Sequence, residues 1–504
     1  MQTRHLKDQN DVLNGKQWAR INKVSIAIIF GGYLSVLVVI GLSNYPYIDD
    51  TVRQITGMTN FAAHYSRWIS EIGSWIVQGS RHLTDQGITT FVLSAIVLSL
   101  TSILALYFLY PEKKVPLAAS VMSIFIGINP WFLECISFRF DGPFIAMSLF
   151  FAFSGYLLYR KNTPLLILSV TVSVFLMCNT YQASSGIAIV VPLVLSYQAL
   201  LDGARLSEVL RKLCYSAIGF MLGMIIYLLE TKLNSALSTR GDTTEIVRFS
   251  QMPMKILENT GAYFNEIIQN SAKIWLLMAA FVLIGFIIYS LKVSKLTLSK
   301  TLVYLVVFLV VASILSYGVL LVFETALVQR NGRYGGYGLS VLLALLGCLS
   351  VSQLKASKFY FIQSVVLVWF MFYQFSFSFG YGYLLANQKD TMEYQTQMIA
   401  QDLKGIVTNE RFTIFSNALY DESPVVLNAQ RNYPILKKLI PDINNTYWPN
   451  EFYLHNLTGL NVRLAPERYD FTNFPEHDPS IITITKNSLY NIYINENQIF
   501  IERK

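Results

Sequence analysis

The sequence predicts a polytopic α-helical membrane protein: about eleven transmembrane helices, interfacial helices on the outer side, and a small C-terminal α+β domain. Three observations lead there. Of 504 residues, 53% are hydrophobic and 14% charged. The apolar residues gather in runs of about 20, long enough to cross ~30 Å of hydrocarbon. The loops between the runs alternate in character, every inner one carrying Lys or Arg, as the positive-inside rule predicts.

Residues 1–23 are polar and carry Arg4, Lys7, Lys16, Arg20 and Lys23. The first run, residues 24–43, is long and ends without a small-residue cleavage site, so it reads as a retained anchor behind a cytoplasmic N-terminus. Further spans are expected over residues 88–110, 116–133, 142–159, 164–180, 184–201, 213–231, 274–291, 301–323, 336–353 and 359–381. The inner loops are then Glu112-Lys113-Lys114, Arg160-Lys161, and residues 202–212, 291–300 and 353–358, and each carries Lys or Arg. An odd number of spans places the tail, residues 382–504, outside. The membrane domain is residues 24–381, with outer loops at 45–87, 134–141, 232–273 and 324–335. The net charge of +8 is therefore read as topology rather than as a nucleic-acid surface. The four cysteines fall in no metal-ligand or redox spacing.

Where the first span ends, the chain reads Asn44-Tyr-Pro-Tyr-Ile-Asp-Asp-Thr-Val-Arg53. Pro46 stops the helix. Asp49 and Asp50 then put two carboxylates at headgroup level, with Arg53 just beyond. Apart from the 232–273 loop and the tail, the outer cations are all arginine: Arg53, Arg67, Arg81, Arg139, Arg330 and Arg333. A guanidinium offers phosphate a planar, permanently charged fork that lysine lacks. Phe61, Tyr65, Trp68, Ile72 and Trp75 recur every three or four residues, predicting an amphipathic helix in the interface, and a second is predicted after Pro253. Short outer turns add Arg139 and Asp141, Tyr181 and Gln182, and Arg330, Arg333 and Tyr334.

In the tail, residues 391–407 and 430–439 read as helices. Residues 411–416, 481–485, 489–494 and 499–502 read as strands.

The sequence has no Walker loop, no nucleotide-binding glycine pattern and no His/Cys/Asp cluster with metal spacing, so no cofactor or metal is expected. What remains is carboxylates, arginines and aromatics on the outer side, where cells lack ATP but hold lipid-phosphate donors. That set suits glycosyl transfer from a polyprenyl-phosphate sugar. Asp49 or Asp50 would take the acceptor proton. Arg53, Arg67, Arg139, Arg330 and Arg333 are the candidates for phosphate. Tyr181, Gln182 and Tyr334 are candidates for substrate, and Asp141 would orient a hydroxyl.

Several short motifs resemble the GT-C membrane glycosyltransferases and, more closely, the Gtr-type O-antigen glucosyltransferases, the serotype-converting family of enteric bacteria and their phages. They are Pro46-Tyr47-Ile48-Asp49-Asp50 with Arg53, Arg67-Trp68, Asn129-Pro130-Trp131-Phe132, Phe138-Arg139-Phe140-Asp141 and Tyr181-Gln182. The resemblance covers most of the membrane region and is looser in the tail. It implies inverting transfer of glucose from undecaprenyl-phosphate glucose to O-antigen repeat units of lipopolysaccharide, at the periplasmic face of the bacterial inner membrane. It also implies two companions, a synthase for the lipid-linked glucose and a flippase. It assigns the base to the first outer loop without choosing between Asp49 and Asp50.

Two rival readings stand beside it. A transporter or flippase for a lipid-linked saccharide should carry ionisable residues along a mid-membrane path, and these spans are nearly free of charge. An O-antigen polymerase or ligase should carry its soluble mass in a late loop between spans rather than at the C-terminus.

Overall fold

The computed structural model describes residues 13–161, 164–239, 245–329, 336–351, 358–407, 410–445 and 448–504. The chain starts with a short helix, α1 (Gly15–Ile21), closed by a capping box between Asn14 and Gln17. Its Trp18 indole donates to the Tyr110 carbonyl at 2.8 Å and anchors the N-terminus to the bottom of the bundle. The long apolar helix α2 (Lys23–Leu42) then rises to the top, where residues 44–53 lie. Three helices follow there: α3 (Asp50–Thr56), α4 (Phe61–Tyr65) and α5 (Trp68–Gln78). The chain descends through α6 (Thr89–Leu109) and returns through α7 (Leu117–Ser123), α8 (Phe125–Ile128) and α9 (Pro130–Ser137). Next come α10 (Gly142–Ser154), α11 (Leu165–Tyr181), α12 (Ser185–Leu201) and α13 (Leu206–Leu233). A short α14 (Ser235–Thr239) and the amphipathic α15 (Met252–Asn270) lead to α16 (Lys273–Val293), α17 (Leu298–Leu315), α18 (Tyr337–Ser350) and α19 (Lys358–Leu403).

Among the described residues, seven stretches are long and apolar enough to cross a membrane: α2, α6, Leu165–Leu201, α13, α16, α17 and α19. The pair Leu117–Ile128 and Pro130–Ser137, bent by 58° at Asn129-Pro130, makes an eighth. Gly142–Leu158 and Tyr337–Ser350 are apolar but shorter. The expected eleven therefore exceeds the seven or eight that length and composition support. One stretch, Leu165–Leu201, doubles back on itself. Just before it, Arg160 donates to the Phe108 carbonyl at 2.9 Å, and near its end Gln198 donates to the Leu109 carbonyl at 3.3 Å. The turn is at Tyr181, whose backbone is extended (φ −159°, ψ 108°).

Close helix packing rests on small residues, the usual device where lipid removes any hydrophobic drive for association. On α13, Gly219 and Gly223 lie one turn apart against α11. A Cβ on either would come within 2.8 Å of the carbonyl of Ile167 or Thr171.

The loop expected first on the outer side, residues 45–87, differs from expectation. The predicted continuous helix through Phe61 and Trp75 is broken into α4 and α5, because Ser66 adopts the left-handed region (φ +50°). Trp68, Ile72 and Ile76 are exposed along α5, while Ser70, Glu71 and Ser74 are buried against the bundle. The apolar face thus points away from the protein, as an interfacial helix requires.

The tail also differs. The expected span over 359–381 and helix over 391–407 form one 46-residue helix, α19. At 1.5 Å per residue such a helix is ~70 Å long, well beyond one bilayer core. Gly382 does not stop it; a Cβ there would meet Val39 Cγ1 at 2.9 Å, so it is a packing glycine against α2. Beyond α19 lies a five-stranded sheet in the order β2-β1-β5-β4-β3. It is built from β1 (Phe412–Ser416), β2 (Val462–Leu464), β3 (Ile482–Lys486), β4 (Tyr490–Asn495) and β5 (Gln498–Arg503). β1 runs parallel to β2 and β5, and β3-β4-β5 is an antiparallel meander. The expected helix over 430–439 is split into α20 (Pro424–Asn432) and α21 (Leu436–Leu439), since Pro434 bars continuity. The helix α22 (Trp448–Thr458) completes the domain.

Candidate active site

The corner at the top of α2 is built around Asp50. Its side chain is fully buried. Oδ2 accepts the Tyr47 N–H at 3.0 Å and the Arg139 N–H at 2.9 Å, and Oδ1 accepts the Phe140 N–H at 3.4 Å. Asp50 therefore pins two loops together, residues 44–50 and 138–141. Burial raises its carboxyl to about 7, against the pull of the Arg139 N–H and the nearby guanidinium groups. The pinned turn is strained. Ile48 has φ +43°, rare for a β-branched residue and common where a functional constraint holds the chain.

Asp49 points elsewhere, and its side chain keeps 25% of its exposure. One turn on, Arg53 meets it at 3.8 Å and also forms an ion pair with Asp141. Arg53 is nearly buried, with its guanidinium 4.4 Å from the Phe61 ring centroid. Arg139 pairs with Asp85 and donates to Asn44 Oδ1 at 2.6 Å. Asp49, Asp50, Arg53, Arg139 and Asp141, named from the sequence, thus come together in one network.

Arg67, Tyr181 and Gln182 form a second cluster beside it. The Arg67 guanidinium lies between the Tyr65 and Tyr181 rings, 4.8 Å from each centroid. Its Nε is buried without a hydrogen-bond partner, and it forms no ion pair among the described residues. The Gln182 amide donates to the Tyr65 carbonyl at 3.3 Å and to the Tyr227 hydroxyl. Asn179 reaches Glu230 at 3.5 Å. The clusters meet at Phe61, which stacks on Arg53 and whose carbonyl accepts the Arg67 N–H at 3.1 Å. Glu71 fixes this junction by accepting the N–H groups of Phe61 at 2.7 Å and Ala62 at 3.1 Å. Arg330, Arg333 and Tyr334 lie outside the described residues.

Sequence reasoning missed Asn44 and Asp85 as partners of Arg139, Glu71 as the junction, and Tyr65, Tyr227 and Glu230 in the second cluster. Asp85 precedes Gln86-Gly87 and reads as an ordinary turn residue, a role it also fills by accepting the Gly87 N–H at 2.8 Å.

The family model for glucosyl transferase GtrII matches residues 38–337. The chain belongs to that family. No curated protein matches it. The match begins at the top of α2 and ends at the first residue of α18, so it takes in both clusters and stops short of the C-terminal domain. This GtrII-family chain is therefore a glycosyltransferase with membrane-spanning helices, and it works on a sugar donor and an acceptor.

Proposed function

We propose that the protein transfers glucose from undecaprenyl-phosphate glucose to O-antigen repeat units, with inversion, on the periplasmic side of the bacterial inner membrane. The observation that carries this reading is Arg53 bridging Asp49 and Asp141 at the mouth of a membrane span. An accessible carboxylate oriented by Arg53 is placed to accept a proton from an incoming hydroxyl. Asp49 takes the proton of the acceptor hydroxyl as its oxygen bonds to the anomeric carbon. The bond from that carbon to the phosphate oxygen breaks on the opposite face, and its electron pair leaves with the lipid phosphate. Asp50, committed to three backbone N–H groups, holds the loops instead. Asp141 orients the acceptor through Arg53.

Arg53 and Arg139 already face carboxylates, which leaves them little charge to offer. Arg67 forms no ion pair among the described residues, so it is the primary phosphate ligand. Arg330, Arg333 and Tyr334 remain further candidates for binding substrate or phosphate. Tyr181 and Gln182 meet the sugar. The leaving group is a single phosphate whose charge guanidinium groups match, so the reading calls for neither metal nor cofactor.

Counting α11 and α12 separately, and adding the bent pair, Gly142–Leu158 and Tyr337–Ser350, supports eleven crossings. The N-terminus is then cytoplasmic and the C-terminal domain periplasmic. A synthase and a flippase would supply the donor, and the product would convert serotype. The test is transfer by purified protein offered labelled undecaprenyl-phosphate glucose or UDP-glucose with lipid-linked O-antigen as acceptor. Label should enter the saccharide only from the lipid donor. Transfer from UDP-glucose would overturn both donor and side.

A further inference from the structure

The acid–arginine network at the top of α2 is gripped from outside by the C-terminal domain. The Tyr47 hydroxyl donates to the Leu439 carbonyl at 2.5 Å, and the Asn456 amide donates to the Thr51 carbonyl at 3.0 Å. Leu439 ends α21, and Asn456 lies in α22. The two bonds bracket Asp49, two residues to either side of it. Between them Ile48 holds its left-handed backbone (φ +43°), a conformation that persists only where the surroundings over-determine it.

The same Leu439 carbonyl reaches the second loop of the network. A carbonyl oxygen has two lone pairs, and this one also accepts the Tyr381 hydroxyl of α19 at 3.3 Å. That hydroxyl bonds Ser137 Oγ at 2.8 Å, at the last residue of α9 before the 138–141 loop. The Tyr47 ring joins the two arms, edge-on against Phe138 with centroids 4.8 Å apart. Tyr47, Ser137, Tyr381 and Leu439 are all buried, so water does not compete for these bonds. Asp50 thus ties the two loops to each other from within, and Leu439 ties both to the C-terminal domain. Asp49 and Asp141 sit on those loops, and Arg53 on the helix whose Thr51 carbonyl Asn456 holds.

We propose that Tyr47 and Asn456 are positioning residues for glycosyl transfer, through which the C-terminal domain fixes the backbone that aims Asp49 and Arg53. The role rests on the reaction proposed above and adds what sets its geometry. Tyr381, Leu439 and Asn456 all lie beyond residue 337, where the family match ends. Neither positioning residue needs to meet substrate. A misplacement of about 1 Å at a reacting group costs up to about 10²-fold in rate, even when its cause lies away from the chemistry.

The test uses full-length protein and two variants, Tyr47→Phe and Asn456→Ala. Tyr47→Phe keeps the ring against Phe138 and leaves the Leu439 carbonyl its Tyr381 partner, and Asn456 is exposed, so both variants should fold. Hydrogen exchange of the resting protein, read by mass spectrometry, should rise across residues 44–57 in both variants and stay unchanged in the sheet. Single-turnover transfer from labelled undecaprenyl-phosphate glucose should slow by about tenfold or more, with donor affinity unchanged. A merely structural contact would lower the melting temperature and leave the rate per folded molecule as in wild type. That result, or unchanged exchange over residues 44–57 in both variants, would overturn the proposal. Raised exchange in the variants, without glucose transfer by wild type, would uphold the grip on this corner and instead count against the proposed donor.

Discussion

Two adjacent aspartates, Asp49 and Asp50, share a chemistry and differ in surroundings. Asp50 is sealed behind three N–H donors, and Asp49 remains open on the far side of Arg53. A pH dependence follows for Asp50. Burial raises its carboxyl to about 7 in the folded protein, against the ordinary value of 3.8 when exposed. Between those values the folded state holds a proton that the unfolded chain releases. Stability therefore falls as pH rises through that window, by at most about 4 kcal/mol, and levels off above it. Melting temperature in detergent should decline from about pH 5 to about pH 7, and Asp50→Asn should flatten the decline. An equal slope in the variant would remove Asp50 as its source. The corner was legible in the sequence because two acids and an arginine beside Pro46 mark a span exit. The division of labour was not, since the N–H groups that claim Asp50 include those of Arg139 and Phe140, far along the chain. Asn44 and Asp85 were hidden for the same reason.

Helices reveal themselves by hydropathy but conceal their joints. Runs of apolar residues located α2, α6 and α16 to within about two residues, whereas α13 starts at Leu206 rather than at 213 and α17 ends at Leu315 rather than at 323. The split of α4 from α5 depends on Ser66 entering the left-handed region, which nothing in the apolar periodicity announces. The last span is expected to end at 381, yet Gly382 serves close approach to α2 and the helix runs on. The short β2 is only three residues, too few to show alternation. The Gly219/Gly223 contact with α11 gives an element-scale prediction. Gly219→Val or Gly223→Val should destabilise the solubilised protein by about 1–3 kcal/mol, as overpacking does. Gly380→Val, with nothing within 4 Å of its Cβ, should be tolerated. Equal melting temperatures for all three would show that the α11–α13 contact is not tight.

At the scale of the whole molecule, α19 links a membrane bundle to a domain that reaches back over the corner at the top of α2. Gln388 and Gln395 on α19 bond to Ser423 and Asp421, so helix and domain are continuous rather than tethered. The proposed orientation predicts that a reporter fused after Lys504 is active only outside the cytoplasm; activity inside would invert the topology. The family match to residues 38–337 lies on the bundle and does not extend over the C-terminal domain. The measurement that bears most directly on the account is single-turnover transfer from undecaprenyl-phosphate glucose by wild type and Asp49→Asn. Asp49→Asn should be slower by about 10²-fold or more, the usual contribution of a general base, with donor affinity unchanged. A rate near wild type would show that Asp49 is not the base and would move the chemistry away from this corner.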